Sequence, residues 1–173
     1  MPWTLIEQPS DALGFATILA RSSIRRAGYT SISGAIDYSL RQLGLSGVQS
    51  VRQVIDISGD GANNQGRTVT LARDEAVAQG ITINGLPIML NRPDSIWDIA
   101  NLDLYYRDCV IGGPGAFMIP VREKHQFVQA IKSKIIREIA AQPQPHVLIQ
   151  DAQTASSANC LAGEIRTRQR MGN

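Results

Sequence analysis

The chain predicts an α/β protein with a largely parallel sheet flanked by helices. Three observations carry that prediction. The apolar run Val54-Ile55-Asp56-Ile57 breaks off at Ser58-Gly59-Asp60-Gly61, as a buried strand does where it leaves a sheet at its carboxyl edge. Helical stripes flank it, Ile36, Leu40 and Leu43 before and Val69, Ala72 and Ala76 after. A second β-rich run, Ile81-Thr82-Ile83, follows at once, and strands that alternate with helices pair in parallel because each crossover returns the chain to the same edge.

The elements follow in order. Ser10 predicts an N-cap for a first helix carrying Leu13, Ala16, Thr17 and Ala20. A hydroxyl-rich loop, Gly28-Tyr29-Thr30-Ser31-Ile32-Ser33, opens a second helix that Ser33 can cap and Gly44 stops. The first strand spans Val51 to Ser58, and a third helix Gly66 to Gln79 is closed by Gly80. The next strand should end near Pro87, which cannot donate to a ladder. Ser95-Ile96-Trp97-Asp98 has capping-box spacing for a helix through Ile99, Leu102 and Tyr106. Gly112-Gly113-Pro114-Gly115 then breaks the chain before a short strand, Ala116 to Pro120, and its glycines fit turn geometry better than a phosphate loop. The last helix runs from Arg122 to Ala141, with Phe127, Ile131, Ile135 and Ile139 on one stripe and Lys132, Lys134 and Arg137 largely elsewhere.

Beyond it, residues 142–173 are polar and lack periodic apolar surface, so they are expected to be a mostly disordered tail behind a domain of residues 1–141. Three strands are few for five helices, which leaves some apolar stripes without a sheet face and reads as the second half of a larger unit.

Composition narrows the function classes. Hydrophobic residues make up 43% of the 173, so one domain with a sizeable core is expected. A net charge of +2 gives no field that would select nucleic acid. No apolar segment approaches the roughly 20 residues that span a bilayer, and residues 1–30 lack the pattern of an export signal, so no membrane and a cytoplasmic location are expected of the chain as written. Cys109 and Cys160 are read as two unpaired thiols; in an oxidising compartment the tail could carry one to the other, and that pairing stays open. His125 and His146 sit in no Cys/His cluster, so neither zinc nor a catalytic triad is expected. Asp94, Asp98, Asp103 and Asp108 are spaced around a helix and read as caps and a solvated face. Asp56 within an apolar strand must either face solvent on an edge or meet an arginine such as Arg52, and the residues do not choose.

The order of elements, with Thr30 in a loop before a helix and Asp60-Gly61 after the next strand, resembles the von Willebrand factor type A (VWA) domain. More closely, residues 54–64, Ile81-Thr82-Ile83-Asn84-Gly85-Leu86-Pro87-Ile88 and residues 105–117 resemble an uncharacterised bacterial VWA-like family of the DUF1194 type, over about residues 2–141. The resemblance implies a partial doubly wound, Rossmann-like parallel sheet and a non-catalytic binding module. At its carboxyl edge such a domain holds Mg²⁺ or Mn²⁺ and captures an acidic group from a protein partner. Thr30 matches the family's metal-site threonine and Asp60 its third-loop aspartate. The Asp-x-Ser-x-Ser element has no match, so the resemblance implies a chain shortened at its N-terminus, with a weak half-site and no required cofactor.

If the strand order is that of other doubly wound sheets, residues 51–58 form an exposed edge that invites self-association or a missing N-terminal half. Complete relatives would be exported. Ser31 and Ser33 stand at a helix start, where capping explains them better than a metal motif. The alternative is enzymatic: Gly59-Asp60-Gly61-Ala62-Asn63-Asn64 resembles the magnesium loop of haloacid-dehalogenase-like phosphatases. Those enzymes need an upstream Asp-x-Asp pair, which the chain lacks, so no enzyme is expected.

Overall fold

The computed structural model describes residues 3–24, 27–90, 99, 101–139 and 157–172. The helices are α1 (Pro9–Arg21), α2 (Ile32–Leu45), α3 (Val69–Ala78), α4 (Leu102–Tyr105), α5 (Phe127–Ile139) and α6 (Ala162–Met171), and the two regular strands are β1 (Val54–Gly59) and β2 (Thr82–Pro87). A π-helical turn, Tyr106–Val110, continues α4, and a 3₁₀ turn, Lys124–Gln126, leads into α5. This is an α/β fold with a partial parallel sheet, as the alternation of elements predicts.

β1 and β2 pair in parallel from Val54 opposite Thr82 to Gly59 opposite Pro87. The expected third strand is present as an irregular rank on the far side of β2. Met118 bridges Gly85 and Val121 bridges Ile88, both parallel, with Ile119 N–H donating to Gly85 O at 3.0 Å and Val121 N–H to Pro87 O at 2.9 Å. Pro87 has no N–H to give the Ile119 carbonyl, which breaks the ladder between the two bridges. β2 is therefore central and buried along its whole length, while in β1 Ile55 and Ile57 are buried and Asp56 and Ser58 exposed.

Alternation along the strands sorts the side chains onto two faces. Ile55, Ile57 and Ile83 join Ile32 and Ile36 of α2, Val69, Ala72 and Ala76 of α3, and Leu102, Tyr105, Tyr106 and Val110 in the main core. Leu86, of opposite parity, packs with Val121, Ala130, Phe127 and Ile131 under α5. Asp56 and Asn84 share that second face, and α5 answers them with Lys134 and Glu138.

Several expected details differ. Gln8, with Pro9 behind it, caps α1 in a capping box with Asp11, whose carboxylate takes the Glu7 and Gln8 N–H groups at 3.1 and 3.0 Å; Ser10 lies inside the helix. Ser31 caps α2 in place of Ser33. On α5 the inward stripe is Phe127, Ala130, Ile131 and Lys134, whereas Ile135 and Ile139 are exposed, because the second sheet face is polar at Asp56 and Asn84 and selects Lys134 over isoleucine. No residue of α1 is buried, and Leu13, Ile18 and Leu19 stay exposed, as a sheet too narrow for its helices requires. The predicted start of a helix at Ser95 lies outside the described residues.

Within the stretch read as a polar tail, residues 157–172 carry α6. Cys109 and Cys160, read as unpaired thiols, are joined in a disulfide across a separation of 51 residues. The bond keeps the 157–172 segment beside Cys109, which is buried in the π-helical turn. The short polar segment lacks the apolar surface to order itself, and the tether supplies the missing stabilisation.

Candidate functional site

At the carboxyl end of β1 the chain turns through Asp60-Gly61, with Asp60 exposed, and runs into Ala62-Asn63-Asn64. The loop before α2 is laced onto this turn. Thr30 N–H donates to Asn64 Oδ1 at 2.7 Å, while Asn64 and Gln65 N–H donate back to Thr30 O at 2.9 and 3.2 Å. A Cβ on Gly61 would lie 3.4 Å from Thr30 Oγ1, so the threonine hydroxyl rests against the residue after Asp60. The two candidate residues thus stand on adjoining loops at the sheet edge.

The loop is held from below by Asn63, which is fully buried. Its Oδ1 accepts the Ser33 N–H at 3.0 Å and the Ser33 hydroxyl at 3.2 Å; its Nδ2 donates to Arg67 O at 3.1 Å and to Glu164 Oε1 of α6 at 2.8 Å. Its own N–H donates to the Tyr105 hydroxyl at 3.2 Å. All four hydrogen-bonding positions of the side-chain amide are used, which a buried asparagine requires. Gly66 closes the loop with φ +89°, and a Cβ there would meet Ser33 Oγ at 2.9 Å, so only glycine fits both the dihedral and the space. Arg67 then ties α2 to α3, with Nε and one Nη on Asp37 at 3.2 and 2.7 Å and that Nη on Glu75 at 2.5 Å. These partners hold the guanidinium pKa above its ordinary value and the Glu75 carboxyl below its own.

Tyr106 lies under the turn, fully buried, with its hydroxyl 2.9 Å from where a Gly59 Cβ would be. That hydroxyl has no hydrogen-bond partner among the described residues. Burial, with the Tyr105 hydroxyl and the charges of Asp60 and Asp56, pushes its phenol well above the usual range. Tyr105 is raised as well, chiefly by burial.

Other acidic residues go elsewhere. Asp103 pairs with Arg122 at 2.5 Å, and Asp108 takes Arg107 at 2.6 and 3.0 Å and the Ala158 N–H at 2.9 Å; Asp94 and Asp98 lie outside the described residues. Arg107 holds the Asp108 carboxyl below the ordinary range. His125 is exposed beside Glu123, and His146 lies outside the described residues. Among the described residues no three His, Cys, Asp or Glu side chains gather at ligand spacing. Mg²⁺ takes six oxygens, and Thr30 and Asp60, on these adjoining loops, are the two protein donors that would hold it here, with water completing the shell.

Residues 1–143 match the family model described as a protein of unknown function, DUF1194. The chain belongs to the DUF1194 family. No curated protein and no solved structure is significantly similar to it. The DUF1194 match contains Thr30, Asp60, Asn63 and Cys109, whereas Cys160 and Glu164 lie beyond it, so the disulfide and the Glu164–Asn63 bond join the DUF1194 part to a segment outside the matched region. Sequence reasoning passed over Asn63 and Glu164. Asn63 had a signal, an asparagine two residues after an Asp-Gly turn and between apolar elements; Glu164, in a basic polar stretch, had none.

Proposed function

We propose that this chain is a non-catalytic binding module of the VWA kind, which engages a protein partner at the carboxyl edge of its sheet. The observation that supports this reading best is the lacing of the Thr30 loop onto the turn that follows Asp60, through the bonds between Thr30 and Asn64 and Gln65. In this reading the edge offers Mg²⁺ or Mn²⁺ a weak half-site. A bound cation would supply an open coordination position to an acidic group of the partner, and no cofactor is needed for folding. The edge of β1 with which no described strand pairs is a second contact surface, for an additional strand or another copy of the chain.

The phosphatase reading loses support at the same loop. Asn64 Oδ1 accepts the Thr30 N–H, and Asn63 spends its side chain on Ser33, Arg67 and Glu164, so the loop's amides serve the fold. Among the described residues no helix is long and apolar enough to cross a membrane. The disulfide favours an oxidising compartment over the cytoplasm, since reducing compartments keep such pairs open.

Mn²⁺ titration followed by amide NMR tests the proposal. Paramagnetic broadening should centre on residues 28–31 and 60–64, at millimolar rather than micromolar Mn²⁺, and should vanish in Asp60→Ala. Broadening centred elsewhere, or unchanged in that variant, would remove the half-site from the reading.

A further inference from the structure

We propose that α6 is a redox-controlled clamp on the 61–65 turn, held shut by the Cys109–Cys160 disulfide and released when a dithiol reduces it. The clamp stands whether or not the Thr30 and Asp60 edge takes a cation.

Three attachments of the segment to the body lie close to the tether or include it. Ala158 N–H donates to Asp108 Oδ2, Cys160 is bonded to Cys109, and Glu164 Oε1 accepts from Asn63 Nδ2. Gly163 is pressed against the loop so closely that a Cβ would lie 2.0 Å from the Asn63 carbonyl oxygen. Yet the seat is poorly satisfied. Glu164 Oε2 and Thr167 Oγ1 are buried without hydrogen-bond partners among the described residues, and desolvated polar atoms of this kind oppose docking. A ten-residue helix is also too short to persist in water by itself. A helix this short, with two desolvated and unsatisfied polar atoms at its seat, leans on its covalent tether.

The sulfurs are arranged for directional opening. Cys109 is fully buried in the π-helical turn, whereas Cys160 is partly exposed. A thiolate of the dithiol attacks Cys160 Sγ and breaks the bond to Cys109, which leaves as thiolate and takes a proton. The second thiol then attacks the mixed disulfide, closes the reductant's own disulfide and frees Cys160, which takes the second proton. Two electrons pass to the protein and two hydrogens end on its sulfurs. Release of α6 then bares the Asn63 amide and the loop beneath the Asp60 turn.

Hydrogen exchange on the full chain decides the matter, comparing the oxidised protein, the same protein in dithiothreitol, and the Cys109→Ser/Cys160→Ser double variant. The clamp predicts exchange at least about tenfold faster over residues 158–172 and 61–65 in the second and third samples, with β1, β2 and α3 unchanged. Protection of α6 that survives reduction would overturn it. So would loss of protection in β2 in parallel, which would make the bond a staple of the whole fold, or two free thiols in protein purified under oxidising conditions. Gly163→Ala in the oxidised protein supplies an independent arm on the seat: the clash with the Asn63 carbonyl should quicken exchange at residues 61–65, and undisturbed protection there would mean that α6 does not sit on this turn and would overturn the clamp.

Discussion

The Lys134 ammonium lies between the carboxylates of Asp56 on β1 and Glu138 one turn along α5, with 2% of its side chain exposed. Glu138 Oε1 also accepts Asn84 Nδ2 at 2.9 Å, and Asn84 Oδ1 accepts the Phe117 N–H at 3.1 Å, so one buried cation links β1, β2, the third rank and α5. The Phe117 ring takes Lys134 at 5.8 Å and Arg137 at 5.6 Å from its centre.

Lys134→Ala should therefore destabilise the fold by about 2 kcal/mol, because it leaves two carboxylates facing each other without their cation. The cost stays below the 3–5 kcal/mol or so of a fully buried pair because Asp56 is 41% exposed and water can answer it. Lys134→Met keeps the stem's packing and should cost less. Urea unfolding midpoints measure both; an alanine variant as stable as the parent would mean that α5 is not held through this cation.

The same pair sets a pH dependence. Burial raises the Asp56 carboxyl above its ordinary value, against the lowering by Lys134 and with a small upward push from Glu138. A raised folded pKa means that the folded state binds the proton more tightly than the unfolded one. Asp56 therefore favours folding below about pH 3.8, and that contribution is lost as pH rises through the raised value. Carbon-detected titration of the Asp56 carboxyl should show a midpoint above the usual aspartate range, moving higher still in Lys134→Met. A midpoint that falls in the variant would reverse the assignment.

Much of this architecture is legible in the sequence, and the exceptions share a cause. β1, β2, α2 and α3 follow from apolar periodicity bounded by glycine, a signal that reports burial directly. The face of α5 was misread because the pattern assigns Lys134 to water, and nothing local in the chain says that Asp56, 78 residues earlier, awaits it. Asp56 itself left two readings open, solvent or an arginine such as Arg52, and the partner is a lysine; Arg52 donates instead to Glu138 O at 3.0 Å. The places of Thr30, before α2, and Asp60, after β1, were legible because each sits at an element boundary. The Asn63 hub and α6 were not, since their stabilisation comes from distant partners and a covalent tether, which leave no periodic trace.

Asn63→Ala should cost about 3 kcal/mol, since it strands the Ser33 N–H and one Glu164 oxygen in a buried place. Glu164→Ala alone should cost less, because it also removes the unsatisfied Oε2. Combined in a double-mutant cycle, the two should show a coupling of about 1 kcal/mol. Additive effects would mean that Asn63 acts through α2 alone and that α6 is a bystander at this loop.

The open side of β1 yields the last expectation. Gln53 and Gly59 carbonyls accept from Thr82 and Ile88 N–H on β2, so alternation turns the N–H and C=O groups of Val54, Asp56 and Ser58 to the opposite edge, where no described strand pairs with them. An unpaired edge beside exposed apolar residues such as Val51 and Ile139 is a template for another strand. The chain should accordingly self-associate at micromolar concentration. Ser58→Pro, which deletes one outward N–H and leaves the β1–β2 ladder intact, should shift it towards monomer with little change in thermal melting. Sedimentation velocity on both proteins checks this; a parent that is monomeric at all concentrations, with a sharp cooperative melt, would show that this edge is protected and would remove it from the surfaces open to a partner.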